Sequence, residues 1–125
     1  MAEGYTNRVA DLELTTWTPN LPRSTYSDLT DNNVYRCGDY VICKAYFKIT
    51  TSNNSNDYID ASSYPDFCRN ITFVLGQWYD NTNDSTGLFG AGANNNAWFN
   101  YNGSAINLSG RVNHFIFVNI IYCLS

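Results

Sequence analysis

An all-β fold, an antiparallel β-sandwich of the jelly-roll kind, is what the sequence predicts, and three observations predict it. From Tyr40 to Thr50, "YVICKAYFKIT", every odd position from Val41 to Ile49 is apolar: Val41, Cys43, Ala45, Phe47 and Ile49. The even positions carry Tyr40, Lys44, Tyr46, Lys48 and Thr50, with Ile42 the one apolar intruder. Side chains alternate between the faces of a strand, so this is one long strand with a single buried face. Several further strand-like segments are separated by clusters of Asn, Asp, Gly and Ser, and no helical periodicity persists along the chain.

The elements follow in order. Residues 1–11 are polar and unpatterned and read as a connector, which leaves 12–125 as one domain. "LELTTW" alternates and predicts a short strand, Leu12 to Trp17. "TPNLPRSTYSDLTDNN" holds two prolines and many turn formers and reads as a long loop. A turn at "RCGD", where Gly38 takes a positive φ at little cost, leads into the strand from Tyr40. "YIDASSYPDFCR" is a short strand with an irregular tail, since Pro65 ends regular pairing. "NITFVLGQWY" is a strand with Ile71, Phe73 and Leu75 on one face and Thr72, Val74 and Trp78 on the other. "LFGAG", "AWFNY" and "SAINLSG" are short strands between turns. "RVNHFIFVNIIYC" closes the chain, apolar on both faces from Phe115 to Ile121 apart from Asn119. Such a strand is covered twice, once by the core and once by something else.

Composition removes several functions. Charged residues make up 14% of the chain and the net charge is -4, with no cluster of Lys or Arg, so nucleic acid is a poor partner. No apolar run approaches a membrane span, and "MAEGYTNRVADLELTTW" lacks the charged-then-apolar order of a signal peptide. Cys37, Cys43, Cys68 and Cys123 contain no C-x-x-C spacing and His114 is the one histidine, so no zinc site, and no cofactor of any kind, is expected. Cys43 and Cys123 sit in apolar strands and read as small buried hydrophobes, and free thiols are the expectation for all four. Five N-x-S/T sequons, at Asn53, Asn70, Asn83, Asn102 and Asn107, arise readily in an Asn-rich chain.

Three motifs in order carry a resemblance: "WTPNL" (Trp17 to Leu21), "VYRCGDYVICKAYFKIT" (Val34 to Thr50) and the terminal "HFIFVNIIYCLS". Together they resemble the C-terminal domains of bacteriophage tail fibres, tail spikes and receptor-binding proteins. In that family a W-x-P-x-L segment precedes a Y-x-x-x-G-x-x-V strand, and a strand with an aromatic near its end closes the chain. The later, Asn-rich half departs from the Gly-rich middles common in the family. The resemblance implies a β-sandwich head at the distal end of a phage tail, within the virion, that forms a homotrimer and binds a host cell-surface saccharide. It also implies a join to other tail or baseplate proteins through the N-terminus. Sister subunits would then cover the second face of the last strand; a second sheet of the same chain would do so equally well. A ligand-free trimerisation or capping tip and a small secreted lectin-like module are the alternatives.

Two segments have the chemistry of a saccharide site, which needs rings to stack on C–H faces and amides to pair with hydroxyls. "NNNAWFNYN" offers Asn95, Asn96, Trp98 and Tyr101; alternation puts Trp98 and Tyr101 on opposite faces, so only one of the two is expected to be free for ligand. "QWYDNTND" offers Trp78 as a platform and Asp80 as an acceptor. Asp80, Thr82 and Asp84 also have the flavour of a calcium loop, without its glycine or closing glutamate, and a polar hairpin turn is the commoner meaning. No enzyme is expected. His114 shares a face with Val112, Ile116 and Val118, and no pair of Asp side chains is singled out by spacing as glycoside cleavage would require.

Overall fold

The alternating stretch from Tyr40 becomes the spine of the molecule. The structure, a computed structural model, describes residues 15–65 and 71–124. Its strands are β1 (Thr15–Thr16), β2 (Ser24–Cys37), β3 (Tyr40–Ser52), β4 (Tyr58–Ile59), β5 (Ile71–Asp80), β6 (Ser85–Ala91), β7 (Ala97–Tyr101), β8 (Ser104–Ala105) and β9 (Phe115–Leu124). Short 3-10 turns at Ala61–Ser63, Ala93–Asn95 and Ser109–Arg111 interrupt them. All pairings are antiparallel, in the order β1-β2-β3-β9-β5-β6-β7-β4, and β8 shares with β4 the far edge of β7. The connector at 1–11, Leu12 to Leu14 of the first expected strand, and Cys68 with Asn70 lie outside the described residues.

β9, the most apolar strand, lies in the middle, between β3 and β5. Val41, Cys43, Ala45 and Phe47 of β3 face Tyr122, Ile120, Val118 and Ile116 of β9, and all eight are buried. Trp78 and Val74 of β5, Phe89, Phe99, Ile59 and Leu108 extend the same core. Trp17 and Leu21 of the "WTPNL" segment insert into it from the other end of the sheet. Cys43 is buried as expected, with its Sγ 3.5 Å from the Tyr122 hydroxyl.

The fold is all-β and antiparallel, as expected. Its layers come from one continuous sheet that rolls until its ends meet. At the seam, the Asp60 N–H donates to the Asn20 carbonyl (2.9 Å) and the Ser24 hydroxyl to Asp57. The Arg23 guanidinium lies 5.5 Å from the Tyr58 ring and 5.6 Å from the Trp98 ring.

One expected loop is a strand. Ser24 to Asn33, read as part of a loop, pairs with β3 through a ladder whose register shifts between Ser27 and Thr30 and again between Thr30 and Asn33. Asp28 (φ 58°) and Asp31 (φ 51°) sit at those two shifts in the left-handed region. Aspartate tolerates that region better than most residues, so each extra residue is absorbed as a bulge while pairing continues on either side. The turn at Gly38 (φ 62°) matches its expectation.

Candidate ligand-binding site

β5 alternates through Val74, Gly76, Trp78 and Asp80, all inward and buried. Asp80, the last of these, therefore enters the protein at the rim of the core with a carboxylate to satisfy. The turn after β5 folds back so that the N–H groups of Thr82 and Asn83 donate to Asp80 Oδ1, at 2.9 and 3.2 Å. Asp80 Oδ2 accepts from Arg111 Nη1 and from His114 Nδ1, both at 2.7 Å. Burial pushes this carboxyl upward, but the bonds from His114, Arg111, Asn83 and Thr82 outweigh it and hold it below the usual aspartate value. An ionised Asp80 can only accept, so His114 Nδ1 carries the proton.

Arg111 comes from the 3-10 turn before β9. Its guanidinium lies 4.8 Å from the Trp78 ring and 5.3 Å from the Tyr101 ring, within cation–π range of both. Nη1 also donates to Ser85 Oγ (2.7 Å) and Asn83 Oδ1 (3.2 Å). Beneath it the Trp78 indole donates to the Asn100 carbonyl at 3.0 Å. Gly87 makes room for that indole: a Cβ there would sit 2.5 Å from the ring and 2.2 Å from the Asn100 carbonyl oxygen.

Above this platform opens a basin of about 500 Å3, lined chiefly by Asn56, Asn83, Tyr101, Asn107, Ser109 and Arg111. It offers a half-buried aromatic ring, several amides and one cation already paired with a buried carboxylate. A saccharide ring has complementary needs: C–H faces for the aromatic and hydroxyls for the amides.

The six residues expected to contact ligand are thus distributed over two places. Tyr101 lines the basin. Trp78 (1% exposed) and Asp80 (0%) are corrected from ligand contacts to supports, because strand parity turns both inward. Trp98, Asn95 and Asn96 lie elsewhere. Trp98 stacks on Tyr58 at 4.4 Å in the seam. The Asn96 side chain accepts from the Ala61 N–H (2.9 Å), and the Asn95 carbonyl accepts from the Tyr64 hydroxyl (3.1 Å). These three organise the loop between β6 and β7 against the turn after β4. The calcium-loop side chains are also engaged: Asp84 accepts from the Tyr79 hydroxyl (2.8 Å) and Thr82 Oγ from the Phe115 N–H (2.9 Å). Among the described residues no cluster of three metal-ligating side chains occurs.

Sequence reasoning missed Arg111, Asn56, Asn83, Asn107 and Ser109 as a group. A signal existed for the first: Arg111 is the one Lys, Arg, Asp or Glu after Asp84. A solitary charge in a long neutral stretch of a β-protein needs a partner, and the inward parity of Asp80 supplies one. Compared with known proteins, the chain matches no family model, no curated protein and no solved structure.

Proposed function

We propose that this chain is a non-catalytic receptor-binding head domain of a phage tail, trimeric, that holds a host cell-surface saccharide in the basin between Tyr101 and Arg111. The observation that carries the reading is the basin's construction. The Tyr101 ring and the Asn83 amide are held on a buried Trp78–Arg111–Asp80 stack and the Asn107 amide by Ser109, so these contact groups are ordered before ligand arrives. Pre-ordering reduces the entropy lost on binding, which matters for a ligand whose single contacts are weak.

The assembly part of the reading rests on the outer face of the same sheet. Leu88 (62% exposed), Tyr40, Leu75 and Phe117 are exposed there, beside half-buried Ile42, Tyr46 and Ile121. Pairing aligns them in two rows, Ile42–Ile121–Leu75 and Tyr46–Phe117–Tyr79, with the row Lys44–Asn119–Gln77–Leu88 between them. A recess of about 530 Å3 between Gln77, Leu88, Asn100 and Asn102 adjoins these rows. Exposed apolar side chains gathered on one face and bordered by polar ones mark interaction surfaces. Three linked copies would also turn weak sites into a strong attachment through effective concentration.

The test is binding to a panel of host-surface glycans by the wild type and by Tyr101→Ala. The wild type is expected to retain a subset of the panel, and Tyr101→Ala to lose it while keeping its β-sheet circular dichroism and its mass in solution. A wild type that assembles but binds no glycan would leave the ligand-free tip as the correct reading.

A further inference from the structure

We infer that the basin selects a saccharide bearing a carboxylate, and that Arg111 reads it; this rests on the saccharide reading above and narrows it. The argument is a count of hydrogen-bonding groups left over. Arg111 Nη1 carries all of the guanidinium's hydrogen bonds, to Asp80, Asn83 and Ser85. Its Nε and Nη2 have no acceptor among the described residues, although the side chain is only 12% exposed and lines the basin. Asn83 Oδ1 is consumed by Arg111 and by the Ser85 hydroxyl (2.6 Å). Asn107 Oδ1 is consumed by the Ser109 N–H (3.0 Å) and the Ser109 hydroxyl.

The orientation of both amides is fixed by chemistry. A guanidinium and a backbone N–H can only donate, so each must meet the amide oxygen. That leaves the Nδ2 groups of Asn83 and Asn107 as spare donors at the same basin, with no acceptor among the described residues. Of the carboxylates near them, Asp80 is fully buried with its oxygens taken, and Asp84, next to Asn83 in the turn, accepts from the Tyr79 hydroxyl instead. Beside Arg111 the amide oxygens are therefore spent and donors are left for the occupant, while the Asn56 amide and the Tyr101 hydroxyl in the same lining can take either role. Nε and Nη2 of one guanidinium form the edge that matches a planar carboxylate with two parallel bonds. Asp80 makes this workable: it balances the guanidinium charge while drawing on Nη1 alone, and so fixes which edge is left.

The experiment uses the intact 15N-labelled protein and follows the Arg111 Nε–H, Asn83 and Asn107 side-chain amide and Tyr101 signals by NMR. Three probes are titrated separately: glucuronate, glucose and inorganic sulfate. Glucuronate is expected to shift the Arg111 Nε–H and Tyr101 signals together and to bind about tenfold tighter than glucose, the scale of a hydrogen bond to a charged group. Arg111→Lys keeps a cation facing Asp80 but removes the two-bond edge, so glucuronate and glucose should then bind alike. Equal binding of the two sugars to the wild type overturns the inference and leaves the saccharide reading standing. Sulfate shifting Arg111 where glucuronate does not would show a bare anion site and overturn it as well. No response to either sugar removes both the inference and the saccharide reading of this basin. Because the wild-type comparison is decisive by itself, a poorly folding Arg111→Lys changes nothing.

Discussion

Asp57 and Asp80 are both fully buried, yet their surroundings push them in opposite directions. For Asp57, burial dominates and raises the carboxyl despite the Ser24 hydroxyl, the Tyr58 N–H and Arg23. For Asp80, two cationic or polar donors and two N–H groups win and lower it. The linkage signs follow from which state holds the proton more tightly. Asp80 contributes stability that is present above the ordinary aspartate value and lost as pH falls through its depressed folded value. Asp57 does the reverse: the folded state takes up its proton first, so this group's share of stability grows on mild acidification. Asp80→Asn is expected to cost about 3–5 kcal/mol in urea unfolding at neutral pH, because it strands Arg111 at a buried site. Asp57→Asn should change stability by under about 1 kcal/mol, since Ser24 can turn from donor to acceptor and the desolvated charge is gone. In mild acid wild type should gain stability relative to Asp57→Asn. In strong acid the deficit of Asp80→Asn should shrink. Identical pH profiles for the two variants and wild type would contradict both assignments. At this scale strand parity was the legible part. Val74 and Trp78 already shared a face in the sequence, and carrying that alternation two residues further buries Asp80. The pull of composition, with rings and carboxylates read as surface chemistry, concealed it.

Elements were legible where alternation is clean and illegible where the backbone breaks it. β3 and β9 fall where their patterns put them, and the strand that is apolar on both sides has one side in the core. β2 was hidden by Asp28 and Asp31, because turn-forming residues at bulges look the same in sequence as turn-forming residues in a loop. The seam was not legible at all. It joins the stretch around Asn20 and Arg23 to the stretch around Asp57 and Asp60, and no local pattern announces a contact at that separation. Arg23 is its hub: it donates to the Asn56 carbonyl at 2.7 Å and lies against both Tyr58 and Trp98. Arg23→Ala is expected to cost about 1–2 kcal/mol, the sum of a charged hydrogen bond and partly exposed cation–π contacts. Hydrogen exchange should localise the effect. Amides of β4 and β7 should lose protection well before those of β3 and β9, because the central strands keep their partners when the rolled sheet loosens at its closure. Uniform loss across all strands would mean that the seam is not a separate unit.

On the reading proposed above, one rolled sheet would serve two tasks, one for each of its faces. Trp78 points inward to support Arg111 and the basin; its neighbours in β5, Leu75, Gln77 and Tyr79, point outward to the apolar face. The face is not uniformly greasy: Lys44 pairs with Asn119 and Lys48 with Phe115, so cations interrupt the patch along β3. Face-to-face approach of two copies about a two-fold axis can bring equivalent lysines together. A three-fold arrangement is heterologous and can set Lys44 and Lys48 of one copy against the uncharged amides and rings of the next. Phe117 sits at the centre of the patch, stacked 4.0 Å from Tyr46, and a cation there would have to be buried in any assembly that uses the face. Phe117→Lys is therefore expected to leave the monomer folded, within about 1 kcal/mol of wild type because the position is partly exposed, while abolishing association. Light scattering should give three times the 14.1 kDa chain mass for the wild type and one chain mass for the variant. A wild type that remains a single chain at high concentration would show that something other than its own copies covers this face. The basin on the opposite side would then have to act as a lone site, without the gain in apparent affinity that linkage provides.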